Sequence, residues 1–325
     1  MTTQTTGAPA PDTAPVPRMP AVSAPQPVVP RDEPRSYVHQ ARGPGYRWWR
    51  PILGLFVATF AALVLAAVIL GGFALTGLID EATMADVLHP WASLSNNLVL
   101  AALIPATFLG MWAGFGIRPG RVLSVAGRMR WGWLARCVVV VTPLWLAFLV
   151  VSWFAFDMQV SERPERWLAL LVVSLLTTPL QAAGEELAFR GGLLQGIGAW
   201  FCSPVVALGV TTVLSTALFA LAHMSLDPWV LVSIGSTAVA GCWLTWRTGG
   251  LEAIIVLHVV NNLLVFGQGN LLGGLADSYI DETTTAPMSV AVANVVATAI
   301  VTAVMLRLAR REGNAPQGWT EPALG

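Results

Sequence analysis

The stretch 191–226 contains no acidic residue, no arginine and no lysine, and other long apolar runs flank it on both sides. Only 11% of the 325 residues are charged, against roughly 25% in a soluble domain. Such a chain cannot cover a globular surface with polar groups, whereas a helix of about 20 mostly apolar residues crosses a bilayer. Because unpaired backbone groups are costly in lipid, these runs are predicted to be helical. The sequence therefore predicts an all-α polytopic membrane helix bundle.

The apolar runs divide the chain into about eight predicted transmembrane helices between two tails. Residues 1–47 are rich in proline and alanine and cannot bury a core, so they are predicted to form a disordered cytoplasmic tail. The bundle is predicted to occupy residues 48–311, and a short C-terminal tail residues 312–325. The predicted spans are 52–78, 96–116, 132–156, 167–190, 204–223, 228–247, 250–267 and 287–308.

The placement of arginine predicts the orientation in the membrane. Arginines precede the first span, fill the loop after the second and follow the last, whereas the loop 79–95 has acidic residues and no arginine. The positive-inside rule then places both termini in the cytoplasm, although Arg163 and Arg166 in a predicted outer loop argue weakly against this. Every basic residue is arginine, which favours a GC-rich bacterium and hence its plasma membrane. A net charge of zero gives no electrostatic case for nucleic acid, so the bilayer is the expected partner.

One predicted helix carries three charges within EELAFR, namely Glu185, Glu186 and Arg190. Each costs on the order of 2.5–3.5 kcal/mol at the centre of a spanning helix, so a functional role is the default interpretation. Glu186 and Arg190 are spaced i, i+4 and are predicted to form an ion pair. Glu185 is turned by about 100° from Glu186, which favours Glu185 as the working carboxylate, positioned by that pair. The alternative is a buried charge cluster that only packs helices.

Two further apolar segments each carry a histidine with a partner four residues away. FALAH places Phe219 and His223 on one helix face, and HVVNN does the same for His258 and Asn262. A carboxylate can accept a proton from water, and an imidazole can share that water or bind a metal. A second imidazole and a carboxamide can donate hydrogen bonds to an oxyanion. This set suits hydrolysis of a peptide bond by activated water.

The segments EELAFR, FALAH and HVVNN, in this order on successive apolar helices, resemble the EExxxR, FxxxH and HxxxN motifs of the CPBP family of CAAX and bacteriocin-processing proteases. The resemblance covers residues 165–268. It implies an intramembrane endopeptidase, usually labelled a metalloprotease, acting on a membrane-associated peptide or protein. It also implies that Glu185 and His223 activate water, that His258 and Asn262 stabilise the oxyanion, and that Phe219 packs the site. A zinc ion held by the glutamate and the two histidines is one option, and catalysis without metal is the other.

Two other functions stay open at this stage. A non-catalytic membrane adaptor or immunity protein of the same fold would use the motif residues to hold the bundle together. A transporter would use Glu185 and the histidines as a proton relay. Glu252 and Arg247, close to predicted span ends, are expected to reach the membrane interface.

Overall fold

A computed structural model describes residues 36–43 and 45–314, and within these ranges the regular secondary structure is helical. Residues 1–35 and 315–325, where most of the two predicted tails lie, are outside the described residues. The α-helices are α1 Arg50–Leu75, α2 Glu81–Ala85, α3 Pro90–Ala101, α4 Leu103–Phe115, α5 Pro119–Leu123, α6 Trp131–Ala155, α7 Trp167–Glu186, α8 Leu194–Gly198, α9 Pro204–Leu221, α10 Pro228–Thr248, α11 Glu252–Leu272 and α12 Met288–Arg311.

Eight helical segments of the described chain are long and apolar enough to cross a membrane. Helices α3 and α4 together form the second segment. Helix α7, a π-helical turn over Leu187–Leu193 and α8 form the fourth, which runs over Trp167–Gly198. The fourth segment therefore extends beyond its predicted end at residue 190. The predicted all-α bundle of eight transmembrane helices is confirmed, and the chain is an integral membrane protein.

The second segment begins six residues before its predicted start and is interrupted at Ala102. Pro105 explains the interruption, because its ring occupies the space that the carbonyl of Ala101 would need and it has no N–H for the helical ladder. The predicted span began too late because the polar residues at the start of α3 lower the hydropathy of that stretch. Two of them, Ser95 and Asn97, are buried against the protein.

Helices α1 and α4 pack closely through small residues. A Cβ atom built on Gly110 would lie 2.6 Å from the Cβ of Ala58, and one on Gly114 would lie 2.8 Å from the Cα of Gly54. Small residues spaced four apart on both helices let the backbones approach, as is common between membrane helices. This contact fixes α1 against the segment that leads to the site.

The packed part of the chain begins earlier than predicted. Tyr37 and Val38, placed by the sequence in the disordered tail, are fully buried. The Tyr37 hydroxyl donates a hydrogen bond to the carbonyl of Val122, and Arg42 donates to the carbonyls of Ala199 and Phe201. The predicted tail boundary at residue 47 is therefore wrong for residues 36–43, which lie against the end of α8.

Glu252 does not reach the membrane interface as predicted. Its side chain is fully buried and pairs with Arg130 at 2.7 Å, while the backbone N–H of Arg130 donates to the other carboxylate oxygen at 2.9 Å. Arg130 also donates to the carbonyl of Thr248. This pair ties the loop before α6 to the first residue of α11, the helix that carries His258.

Candidate functional site

Glu185 and Glu186 are the last two residues of α7, directly before the π-helical turn. Such turns widen the helical ladder by one residue and occur frequently at functional sites. Pro179 lies one to two turns earlier in α7. Glu186 is 1% exposed, whereas the Glu185 side chain keeps 12% of its surface accessible. The two neighbouring carboxylates therefore face different surroundings.

Glu186 lies between Arg190 and His258. Its Oε1 accepts a hydrogen bond from Arg190 Nη1 at 3.1 Å and one from His258 Nδ1 at 2.8 Å. The predicted i, i+4 ion pair is thus present, and it orients His258 rather than Glu185. A proton on Nδ1 shared with a carboxylate fixes the imidazole tautomer and leaves Nε2 as the functional nitrogen.

Glu185 is held on one side and faces His258 on the other. Gln181, one turn earlier in α7, donates from Nε2 to Glu185 Oε1 at 2.8 Å. The other oxygen, Oε2, lies 3.6 Å from His258 Nε2 and has no hydrogen-bond partner. A separation of this size is too long for a direct hydrogen bond and leaves room for a water molecule that bonds to both atoms.

The Phe219 ring joins the two histidines. Its centroid lies 4.9 Å from that of His223 and 5.9 Å from that of His258. His223 follows the end of α9 instead of lying within it as predicted, and its Nδ1 donates to the carbonyl of Phe219 at 2.8 Å. This turn brings His223 to the same aromatic ring as His258. In the described part of the chain, no hydrogen bond joins His223 to Glu185.

Asn262 reaches the site through Gln181, to which its Nδ2 donates at 3.4 Å. The structure therefore brings all seven predicted site residues into one connected cluster of hydrogen bonds, ion pairs and ring contacts; they are Glu185, Glu186, Arg190, Phe219, His223, His258 and Asn262. Gln181 was missed by sequence analysis. Its position four residues before Glu185, on the same face of an apolar helix, was the signal that could have found it.

Gly184 lets the site helix approach its neighbour. A Cβ atom at this position would collide with the backbone carbonyl of Leu100, just before the interruption between α3 and α4. The glycine thus sets the depth at which Glu185 and Glu186 lie in the bundle.

The resemblance implies Glu185, His223 and His258 as the ligands of a zinc ion. Within residues 36–43 and 45–314, no three side chains of His, Cys, Asp or Glu are grouped closely enough to hold a metal ion. Of the implied metal ligands, Glu185 Oε2 and His258 Nε2 lie 3.6 Å apart, and no third ligand among the described residues completes the group. The arrangement of these side chains does not fit a three-ligand zinc site.

An apolar cleft of about 380 Å³ lies beside the site, between α1, α3, α4 and the π-helical turn. Leu100, Thr107, Phe189 and Gly192 are among the residues that line it. The ring of Phe189 also packs edge-on against Phe219 with the centroids 5.2 Å apart. Two aromatic side chains, Phe189 at the cleft and Phe219 at the histidines, therefore lie between the cleft and the two histidines.

Comparisons with known proteins agree with the motifs. Residues 165–264 match the family model described as type II CAAX prenyl endopeptidase Rce1-like. The uncharacterized protein YyaK of Bacillus subtilis (strain 168) is 27% identical over 203 residues, which cover 58% of this chain and 64% of that protein. The aligned part thus spans less than two thirds of the relative's length. No solved structure matches. The resemblance predicted from the motifs is confirmed for a segment that contains every predicted site residue.

Proposed function

We propose that this chain, whose residues 165–264 match an Rce1-like endopeptidase family, is an intramembrane endopeptidase that hydrolyses a peptide bond with an activated water molecule. The observation that carries the proposal is the unpaired Glu185 oxygen 3.6 Å from His258 Nε2, between helices of a membrane bundle. An unpaired carboxylate oxygen in such a place is costly, and a reacting water between the two atoms would donate one hydrogen bond to Glu185 Oε2 and one to His258 Nε2.

Glu185 is the proposed general base. It takes a proton from the water while the water oxygen bonds to the carbonyl carbon of the peptide, and the same proton is then delivered to the leaving amine as the C–N bond breaks. The Asn262 amide is the proposed hydrogen-bond donor to the oxyanion. His258 Nε2 is an acceptor while Nδ1 donates to Glu186, so its proposed role is to hold the water beside Glu185. Glu186 and Arg190 hold the imidazole in place. His223, with Nδ1 donating to a carbonyl, presents Nε2 as an acceptor to the water or substrate.

The proposed substrate is a membrane-associated peptide or protein that enters from the lipid. The apolar cleft next to Phe189 suits an apolar segment better than a polar peptide. The proposed location is the plasma membrane of a bacterium, with both termini in the cytoplasm. The even number of spans and the arginines that precede or begin α1 and end α12 support this orientation.

The test is cleavage in liposomes. Purified wild-type protein is reconstituted with a set of fluorogenic peptides that carry a membrane anchor, next to Glu185→Gln and the control Glu165→Gln, whose carboxylate is exposed in the loop before α7. Loss of a general base lowers the rate by about 10²–10⁴-fold. We expect that loss in Glu185→Gln and no change in the control.

Addition of a chelator decides the role of a metal. Cleavage that survives the chelator and disappears in Glu185→Gln supports water activation by the carboxylate alone, and cleavage that the chelator abolishes requires a metal. Equal cleavage by wild type and Glu185→Gln would overturn the mechanism. If the purified wild-type protein cleaves no peptide and the Glu185→Gln variant still supports the protein's function in cells, the protein is an adaptor of the same fold.

A further inference from the structure

Three carboxamides link a buried tryptophan to the proposed base. Trp145 Nε1 donates to Asn261 Oδ1 at 3.1 Å, and Asn261 Nδ2 donates to Asn262 Oδ1 at 2.9 Å. Asn262 Nδ2 donates to Gln181 Oε1 at 3.4 Å, the longest of the four bonds, and Gln181 Nε2 donates to Glu185 Oε1 at 2.8 Å. Every donor in this chain points towards Glu185.

The two ends of the chain dictate its direction. An indole N–H can only donate, so Asn261 must turn its oxygen to Trp145 and its amide nitrogen to Asn262. An ionised carboxylate can only accept, so Gln181 must turn its nitrogen to Glu185 and its oxygen to Asn262. Both requirements give the Asn262 carboxamide the same orientation. Its oxygen accepts from Asn261, and its nitrogen faces Gln181 and the site. A chain of hydrogen bonds of one polarity is also cooperative.

We propose that Trp145, Asn261 and Gln181 are positioning residues that hold the Glu185 carboxylate and turn the Asn262 amide nitrogen towards the substrate. The assignment to catalysis rests on the proposed function, and it adds three residues that are not among the fixed positions of the motifs. Trp145 is 1% exposed and lies on α6, outside the segment 165–264 that matches the family. We call the four hydrogen bonds from Trp145 to Glu185 the relay. The relay makes α6 part of the site.

The protein contains a matched control for Trp145, the first residue of the relay. Trp133 lies on the same helix, is 3% exposed and belongs to the same buried cluster, but its Nε1 has no hydrogen-bond partner. Trp133→Phe and Trp145→Phe thus remove the same atoms from similar surroundings. Only Trp145→Phe removes a member of the relay.

The first arm of the test needs no substrate. The indole ¹H–¹⁵N signals of the tryptophans are recorded in detergent micelles, and the two Phe variants identify the Trp145 and Trp133 signals. We expect Gln181→Leu to shift the Trp145 signal, three hydrogen bonds away, and to leave the Trp133 signal in place. A Trp145 signal that does not respond to Gln181→Leu would overturn the relay.

The second arm uses the membrane-anchored peptide that the wild-type protein cleaves fastest. Trp145→Phe should lower kcat by roughly 2- to 10-fold, the range of one hydrogen bond, with KM unchanged, and Trp133→Phe should leave kcat as it is. Asn261→Leu should lower kcat further, and Trp145→Phe should add nothing in that background, because both changes break the same chain.

The outcomes separate this inference from the proposed function. If Glu185→Gln abolishes cleavage but Trp145→Phe behaves like Trp133→Phe, or if the Trp145 and Asn261 effects simply add, the relay is wrong and the endopeptidase proposal stands. If the wild-type protein cleaves no peptide, the proposed function fails, and the indole signals alone decide whether Trp145 is coupled to Gln181.

Discussion

Phe219 stabilises a cation that the bundle buries completely. Arg190 is fully buried, and only its Nη1 reaches Glu186, while Nε and Nη2 have no hydrogen-bond partner. Its guanidinium carbon lies 4.3 Å from the centroid of the Phe219 ring and 5.9 Å from that of Phe189. Attraction to the ring face compensates for part of the missing hydrogen bonds. The aromatic residue of the second motif therefore supports the arginine of the first.

Replacement of Phe219 by leucine should destabilise the protein by about 1–3 kcal/mol, since it removes a cation–π contact together with ring volume. Phe115→Leu is the control, because Phe115 is also buried but belongs to the separate cluster around Met111 and Val122. Thermal unfolding in detergent measures both. A larger loss in Phe115→Leu would contradict the role given to the Phe219 ring.

Glu186→Gln leaves Arg190 as a buried charge without a partner, so stability should fall by about 3–5 kcal/mol. The double variant Glu186→Gln with Arg190→Met removes the charge as well and should recover part of that loss. Cleavage should stay low in both variants, because His258 Nδ1 loses its carboxylate partner. If cleavage in the double variant returns with stability, Glu186 serves only to neutralise Arg190.

At the scale of helices, the site depends on departures from regular geometry. The π-helical turn follows Glu186 directly, and the interruption at Ala102 lies opposite Gly184. Close approach at Gly184 lets α7 contact both halves of the second segment. The helices thus bring the two carboxylates to the level of His258 on α11.

Gly184→Ala should push α7 away from Leu100 and cost about 1–3 kcal/mol through overpacking. Gly209→Ala in α9 is the matched control, because a Cβ atom there would meet nothing within 4 Å. The control should be neutral or more stable by up to about 1 kcal/mol, as expected for alanine in an open helical position. Equal unfolding temperatures for the two variants would argue against the close contact.

The sequence predicted the eight segments and the seven motif residues that the structure brings together, because hydropathy and i, i+4 spacing are local properties of a helix. It did not predict contacts between helices. The relay from Trp145 joins α6, α7 and α11, and nothing in the spacing of those residues connects them. The ion pair of Glu186 with Arg190 was predicted correctly. It was expected to position Glu185, but it orients His258, which the sequence could not show because His258 lies on another helix.

At the scale of the whole molecule, buried charges connect distant parts of the chain. Arg130 is one of the arginines in the predicted cytoplasmic loop after the second span. Its side chain forms an ion pair with the buried Glu252 and donates a hydrogen bond to the carbonyl of Asn314 after α12. The same residue thus contributes to the arginine pattern and to packing. A count of arginines in loops does not distinguish these two uses, so orientation needs its own test.

The cysteines of the chain provide that test. Cys202 is exposed, whereas Cys137 and Cys242 are buried. Cys202 lies between the fourth and fifth spanning segments, so an N-terminus in the cytoplasm places it on the cytoplasmic side as well. A maleimide that cannot cross membranes should therefore label inside-out vesicles and spare right-side-out ones.

Cys202→Ser should abolish that labelling, which shows that the buried thiols do not contribute. Labelling of right-side-out vesicles would reverse the proposed orientation and place the end of α8, with the Arg42 contacts to Ala199 and Phe201, on the outer face. His223, one span further along the chain, would then lie towards the cytoplasm. The direction from which water and substrate reach Glu185 would be reversed with it.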